Sequence, residues 1–215
     1  MKSSNFVSTV PRLIVIVPYM GHEETKSIAG RLIGAGCPGI LFMAPDLSGG
    51  PMLELAGYMV ERALETRTRI FVSDRADVAS LAGAMGVHLP SSGLEPGDAR
   101  LVFKERVLIG VSCHSVEDIE RAENNGADYA SLSPVFRTTS HPERKPLGLG
   151  LLARAVSSVG IPVMALGGIT IDNIEQVLLT GVHGVAVLSH VVHSPDPVER
   201  LGLLLENMRK VHKQQ

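Results

Sequence analysis

The sequence predicts a single (β/α)₈ TIM barrel of the α/β class, and three observations carry that prediction. Eight short apolar runs rich in β-branched residues recur along the chain, separated by amphipathic or turn-forming stretches. The runs are apolar on consecutive residues instead of alternate ones, as expected of parallel strands buried on both faces. With 215 residues, 45% of them hydrophobic, the chain can fill both a strand interior and a helix–strand layer. A doubly wound open sheet is the rival arrangement, but eight short repeats favour closure. Residues 1–215 are read as one domain, with the barrel proper running from about residue 12 to about residue 212.

The elements follow in order. Leu13-Ile14-Val15-Ile16-Val17 is the first strand, and Ile28, Leu32 and Ile33 mark the helix after it. Gly39-Ile40-Leu41-Phe42-Met43 is the second, with a helix from Met52 to Leu64. Arg69-Ile70-Phe71-Val72 is the third, followed by a short helix from about Ala76, and Gly86-Val87-His88-Leu89 is a brief fourth. Val107-Leu108-Ile109-Gly110-Val111 is the fifth. Ser115-Val116-Glu117-Asp118 then resembles a capping box, a hydroxyl three residues before an acid that can reach back. Asn125-Gly126-Ala127-Asp128 stops that helix before the sixth strand, Tyr129-Ala130-Ser131-Leu132. Pro162-Val163-Met164-Ala165-Leu166 is the seventh strand, Gly184-Val185-Ala186-Val187-Leu188 the eighth, and Pro197 to Val211 the closing helix.

Composition narrows the function. Aromatics are 4% with no Trp, so the core must be aliphatic. A formal charge of −2 lacks the basic excess that nucleic acid requires, so any phosphate must be held locally by backbone N–H groups or a few side chains. No apolar run approaches the ~20 residues of a membrane span. Met1-Lys2-Ser3-Ser4-Asn5 lacks an apolar core and a small-residue cleavage site, so a cytoplasmic protein is expected, with neither membrane nor nucleic-acid partner. Cys37 and Cys113 form no C-x-x-C pair and read as reduced core thiols. Met20 and Tyr58, taken as exposed apolar residues, leave a homodimer open.

In such a barrel the residues just after each strand line the mouth. They are Tyr19, Pro45-Asp46, Ser73-Asp74, His88, Ser112-Cys113-His114, Ser133, Gly167-Gly168 and Ser189. Gly167-Gly168-Ile169-Thr170 reads as a glycine turn opening a helix, where backbone N–H groups can approach an anion, with Ser189 beside it; a plain tight turn is the alternative. His114 stands where an imidazole can move protons near neutral pH. Asp74 could hold Mg²⁺ or cap the helix from Ala76. His88 is either a polar contact or a buried, hydrogen-bonded histidine. Arg137-Thr138-Thr139-Ser140-His141 is a hydroxyl-rich, basic loop suited to cover an anion, or simply solvated.

Several of these stretches, from about Leu13 to Val192, resemble the thiamine-phosphate synthase superfamily. They are Ser73-Asp74-Arg75-Ala76-Asp77-Val78-Ala79, Gly86-Val87-His88-Leu89, Gly126-Ala127-Asp128-Tyr129, Ser133-Pro134-Val135-Phe136, Pro146-Leu147-Gly148, Ala165-Leu166-Gly167-Gly168-Ile169-Thr170, and Gly184-Val185-Ala186-Val187 with Ser189. The resemblance implies a (β/α)₈ barrel and a small thiazole ethyl phosphate ligand. In one branch a Mg²⁺-dependent synthase joins hydroxymethylpyrimidine diphosphate to thiazole phosphate and releases pyrophosphate. This chain is similar to it at Asp74 (a magnesium ligand there), Ser112, Thr138, Gly168 and Ser189. It departs where that branch grips the diphosphate. Leu41-Phe42-Met43-Ala44-Pro45 replaces Gln-x-Arg-x-Lys, Pro90-Ser91-Ser92-Gly93 lacks the second magnesium aspartate, Ser73 replaces an Asn, and His141 replaces the loop lysine. Each lost stabiliser of a departing pyrophosphate should cost about 10²–10³ in rate.

The other branch resembles TenI, a thiazole tautomerase that aromatises a thiazole carboxylate phosphate by moving a proton, using a histidine after strand five and no metal. Here that stretch reads Ser112-Cys113-His114-Ser115. The resemblance therefore implies a tautomerase (an isomerase) with His114 as acid and base and Gly167, Gly168 and Ser189 on the phosphate. His88, Ser112 and the 137–141 loop, with Thr138 and Ser140, would contact the carboxylate or ring, and no cofactor is expected. A divergent synthase with Mg²⁺ on Asp74 is the first alternative. A non-catalytic thiazole-phosphate-binding regulator is the second.

Overall fold

The computed structural model describes residues 10–103, 107–139 and 142–214, with side chains to residue 211. Its strands are β1 (Leu13–Pro18), β2 (Gly39–Met43), β3 (Arg69–Ser73), β4 (Gly86–Leu89), β5 (Leu108–Cys113), β6 (Tyr129–Leu132), β7 (Val163–Leu166) and β8 (Gly184–Val187). All neighbours run parallel, and β8 pairs with β1 through Leu13↔Val185, Ile14↔Ala186 and Val15↔Val187, closing a TIM barrel. The helices are α1 (His22–Gly34), α2 (Gly49–Ala63), α3 (Ala76–Ala82), α4 (Pro96–Arg100), α5 (Val116–Asn124), α6 (Gly148–Ser158), α7 (Ile174–Leu178), α8 (Ser189–Val192) and α9 (Pro197–Gln214).

The consecutive apolar runs are explained by two cores that share each strand. Ile14, Ile16, Leu41, Phe71, Leu108, Tyr129, Met164 and Ala186 pack together inside the barrel, with Val10 in the same cluster. Their strand neighbours Val15, Val17, Ile40, Phe42, Ile70, Val72, Ile109, Val163 and Val185 pack outward, with Leu32, Leu55, Ile119 and Leu152 of the helices. Because side chains alternate across a strand, only runs apolar at every position can serve both layers.

At the N-terminal end the chain is locked where β1 meets β8. The His183 Nε2–H donates to the Val10 carbonyl at 2.8 Å, and Arg12 Nε donates to the His183 carbonyl at 3.1 Å. The same end carries a bond between β5 and β6: Asp128 Oδ2 accepts from the Ile109 N–H at 2.8 Å and from Arg100 at 2.7 Å. A cavity of about 330 Å³ also lies there, lined by Leu13, Pro38, Leu178, Leu205 and Met208 with Arg12 and Arg209 at its edge. It is far from the strand ends that carry the candidate residues.

Three sequence expectations are corrected. The helix after β2 begins at Gly49, not Met52, and the one after β7 begins at Ile174, so Gly167–Thr170 is a turn and not a helix start. Met20 and Tyr58 are partly buried against the core and not the exposed apolar residues expected; among the described residues Leu64, Leu81, Leu101 and Leu179 are strongly exposed. Among the described residues no helix is long and apolar enough to cross a membrane.

Removing the Asp128 carboxylate would leave the buried Ile109 N–H without its acceptor and Arg100 without its counter-charge. Asp128→Ala is expected to cost about 2–4 kcal/mol of stability, read as a lower urea midpoint at unchanged m-value. A shift under about 0.5 kcal/mol, the range of ordinary surface substitutions, would show that the bond is dispensable.

Candidate active site

The C-terminal mouth rests on a polar stack inside the barrel. His88 of β4 is buried, with Nδ1 3.1 Å from the Tyr129 hydroxyl and Nε2 3.0 Å from Ser112 Oγ and 3.2 Å from Ser131 Oγ. Gly110 of β5 makes room for it, since a Cβ there would overlap the Tyr129 ring and His88 Nδ1. Burial pushes the His88 pKa down to about 4, so the ring is neutral at ordinary pH. With both nitrogens engaged by protein hydroxyls, His88 sits beneath the mouth and could act on a ligand only through Ser112, which is half-buried. Of the two readings of His88, its burial and its hydroxyl partners fit the buried, hydrogen-bonded one. Tyr129 and Ser131, which sequence reasoning passed over as strand residues, complete the stack; their polar groups at alternate positions of a strand were the available signal.

His114 follows β5 and is placed by the cap of α5. The Ser115 hydroxyl accepts from the Asp118 N–H at 3.0 Å, and Asp118 Oδ2 accepts from the His114 N–H at 3.0 Å. The Ser115 half of the predicted capping box forms, while the acid accepts from the N–H one residue before the cap instead of the cap's own. Burial works to raise the Asp118 pKa, but the His114 N–H, the Ser115 hydroxyl and Arg121 outweigh it and hold the carboxyl below its usual value. The His114 Nδ1–H donates to the Ser133 carbonyl at 2.8 Å. A carbonyl can only accept, so Nδ1 carries the proton and the Nε2 lone pair of the neutral ring is left to act as a base. The neighbouring Cys113 is buried and its pKa is pushed up to about 12, which keeps the thiol protonated.

Two turns form the other side of the mouth. Gly167 and Gly168 have φ of 98° and 66°; a Cβ would meet Pro134 at Gly167, and the Arg137 carbonyl and Phe136 at Gly168. The glycines are thus required by packing against the loop after β6, whatever they bind. Asn173 braces the turn, donating to the Gly168 carbonyl at 2.9 Å and accepting from the Thr170 N–H at 2.8 Å. The Ile171 N–H donates to His190 Nε2 at 3.2 Å, tying this turn to the one after β8. Among the described residues no acceptor takes the N–H groups of Gly168, Ile169, Ser189 or His190. Such unpaired N–H groups from adjacent turns are what an anion requires. Asn173 and His190 were not singled out in the sequence; His190 directly follows a candidate residue, while nothing in the pattern marks Asn173.

Asp74 directly follows β3 at φ 65°, an uncommon left-handed conformation for a non-glycine residue. It does not cap α3, whose cap is Arg75 with no side-chain bond. Its carboxylate faces the loop after β4, with Oδ1 3.2 Å from where a Gly93 Cβ would lie. That loop offers Ser91 and Ser92, and its acid, Glu95, accepts from the Asn125 side chain at 2.7 Å. Among the described residues no three His, Cys, Asp or Glu side chains lie close enough to hold a metal. One exposed carboxylate with hydroxyls nearby does not make a Mg²⁺ site of its own. Thr138 is half-buried beside exposed Arg137 and Thr139, whereas Ser140 and His141 lie outside the described residues.

His88 also ties the site to stability. Its folded pKa of about 4 lies below the unfolded value, so between roughly pH 6.5 and 4 only the unfolded chain takes up the proton. Stability contributed by the neutral ring is therefore lost as pH falls through that window. The wild-type urea midpoint should drop from pH 7 to pH 4.5 by more than that of His88→Gln; equal drops would remove His88 as the source.

Comparisons with known proteins fit this geometry. Residues 13–191 match the family model described as thiamine monophosphate synthase. A thiamine-phosphate synthase of Methanoculleus marisnigri is 38% identical over 179 residues, 82% of this chain and 85% of that protein. One from Thermus thermophilus is 33% identical over 198 residues, 91% of this chain and 95% of its own length. The solved thiamine phosphate pyrophosphorylase from Pyrococcus furiosus superposes with a TM-score of 0.85 at 31% identity, covering 93% of this chain and 96% of that one. This closed barrel, matched by the family model over residues 13–191, belongs to the thiamine monophosphate synthase family.

Proposed function

We propose that this chain is an enzyme acting on a thiazole phosphate, and specifically a thiazole tautomerase that aromatises a thiazole carboxylate phosphate. The observation that carries the reading is the 2.8 Å bond from His114 Nδ1 to the Ser133 carbonyl, which leaves Nε2 as a base at the barrel mouth. His114 would take a proton from one carbon of the substrate and return it at another, with no change in atom count and no co-reactant. Gly168, Ile169, Ser189 and His190 would hold the phosphate through main-chain N–H groups, with Gly167 shaping the turn. Ser112 and Thr138 would contact the ring or its carboxylate, Ser112 being held from below by His88.

The names of the relatives favour a second reading, a thiamine-phosphate synthase joining hydroxymethylpyrimidine diphosphate to thiazole phosphate. Exposed Arg137, Arg144 and Lys145 in the loop after β6 could supply cations for a diphosphate. Against it stand the apolar end of β2, where Met43 packs with the barrel interior and Ala44 is buried, and the single carboxylate at Asp74. A leaving pyrophosphate depends on cations, whereas a proton transfer within one ring system does not.

Aromatisation of the thiazole carboxylate phosphate, followed by ultraviolet absorbance in chelator-treated buffer, tests both readings. His114→Ala should lower kcat by about 10²–10⁴ and leave substrate affinity within a few-fold; turnover at the wild-type rate would remove the role. Mg²⁺-dependent pyrophosphate release from the two synthase substrates, with no aromatisation, would put the synthase first.

A further inference from the structure

We propose that His190 is a positioning residue for the phosphate, its ring coupling the turn after β7 to the turn after β8 so that the open N–H groups of both converge on one anion. This rests on the reading of those turns as the phosphate site.

The β7–β8 ladder ends at Leu166↔Ala186. Beyond it the two chains leave the sheet, and each is braced within itself. On the β7 side Asn173 bridges Gly168 and Thr170, and the Asp172 N–H donates to Thr170 Oγ1 at 3.3 Å. On the β8 side the Val191 and Val192 N–H groups return to the Leu188 carbonyl, and the His193 N–H to that of Ser189. Among the described residues, the bond from the Ile171 N–H to His190 Nε2 spans the gap between them. It works in one protonation state alone. A backbone N–H can only donate, so Nε2 must be bare and the proton must sit on Nδ1. Burial and then Arg200 of α9 depress the His190 pKa, outweighing Asp172, so the ring is held in the neutral form the bond needs.

The same residue contributes its own N–H to the open set, so its position is fixed from two directions. A phosphate spanning both turns would otherwise have to order them as it binds, and ordering backbone lowers affinity. Loss of the neutral hydrogen bond should weaken phosphate binding about three- to tenfold.

Calorimetry with hydroxyethylthiazole phosphate and, separately, its dephosphorylated alcohol tests this on the wild type, His190→Leu and His190→Gln. The Gln amide oxygen lies where Nε2 does and can accept the same bond. His190→Leu should lose affinity for the phosphate about three- to tenfold and leave the alcohol unchanged, and His190→Gln should restore it. Hydrogen exchange at the Ile171 amide should be slow in the wild type and the Gln variant and faster in the Leu variant, a readout that needs no ligand. Equal phosphate affinity in wild type and Leu variant, or an Ile171 amide already unprotected in the wild type, would overturn the role of His190. A wild type that binds phosphate and alcohol alike would instead sink the phosphate reading and the inference with it, even with Ile171 protected.

Discussion

A closed barrel has to fill its interior from alternate residues of its own strands, and most other features here follow from that constraint. The lower interior is met with aliphatic side chains around Phe71, in a chain with only 4% aromatics. Higher up, Gly110 contributes no side chain, and the space goes to the Tyr129 ring and His88. The result is a column that turns polar toward the mouth. Its groups satisfy one another, which is the condition for burying them without loss of stability. Ser112 therefore reaches the open end with its hydroxyl already held from below, and the mouth inherits rigidity from the packing beneath it.

The mouth is built chiefly from main-chain groups. The Ser133 carbonyl selects the tautomer of His114, the Ser115 cap of α5 holds its backbone through Asp118, and N–H groups of two turns have no acceptor among the described residues. Side-chain identity matters where it sets these main-chain positions: glycine at 167 and 168 to pass the loop after β6, asparagine at 173 to brace the turn. This division suits a chain that belongs to the thiamine monophosphate synthase family while differing from the synthase pattern at the β2 and β4 strand ends. In the proposed reading the shared scaffold holds the phosphate, and the differences fall on groups that would serve a second, more highly charged substrate.

The fold was legible because its signals are local. Runs such as Leu13–Val17 and Ile40–Met43 announce strands that face two cores, and Ser115 with Asp118 announces a helix start. The positions of His114 and Ser189 at strand ends could be read for the same reason. What stayed hidden depends on contacts distant in sequence. His88 meets Tyr129 and Ser131 across β5, and no spacing within β4 reveals whether it faces solvent or a buried hydroxyl. Gly167–Thr170 looked like a helix start because a glycine turn followed by apolar residues resembles one. In the structure the helix starts at Ile174, and Asn173 and His190 accept from the Thr170 and Ile171 N–H groups before it. Asp74 shows the same limit: a cap and a left-handed turn residue are identical on paper.

Residues 133–136 join the two halves of the mouth. The Ser133 N–H donates to the Cys113 carbonyl and its own carbonyl receives His114, while the N–H groups of Val135 and Phe136 donate to the carbonyls of Leu166 and Gly167. The His114 imidazole and the turn after β7 are thus pinned to opposite ends of one four-residue strap. In the proposed reaction the strap works as a length gauge: it fixes how far the reacting ring sits from the phosphate, and so which connecting arm can seat both ends at once. Selection by tether length is then written into the backbone, where drift in the lining side chains cannot easily erase it.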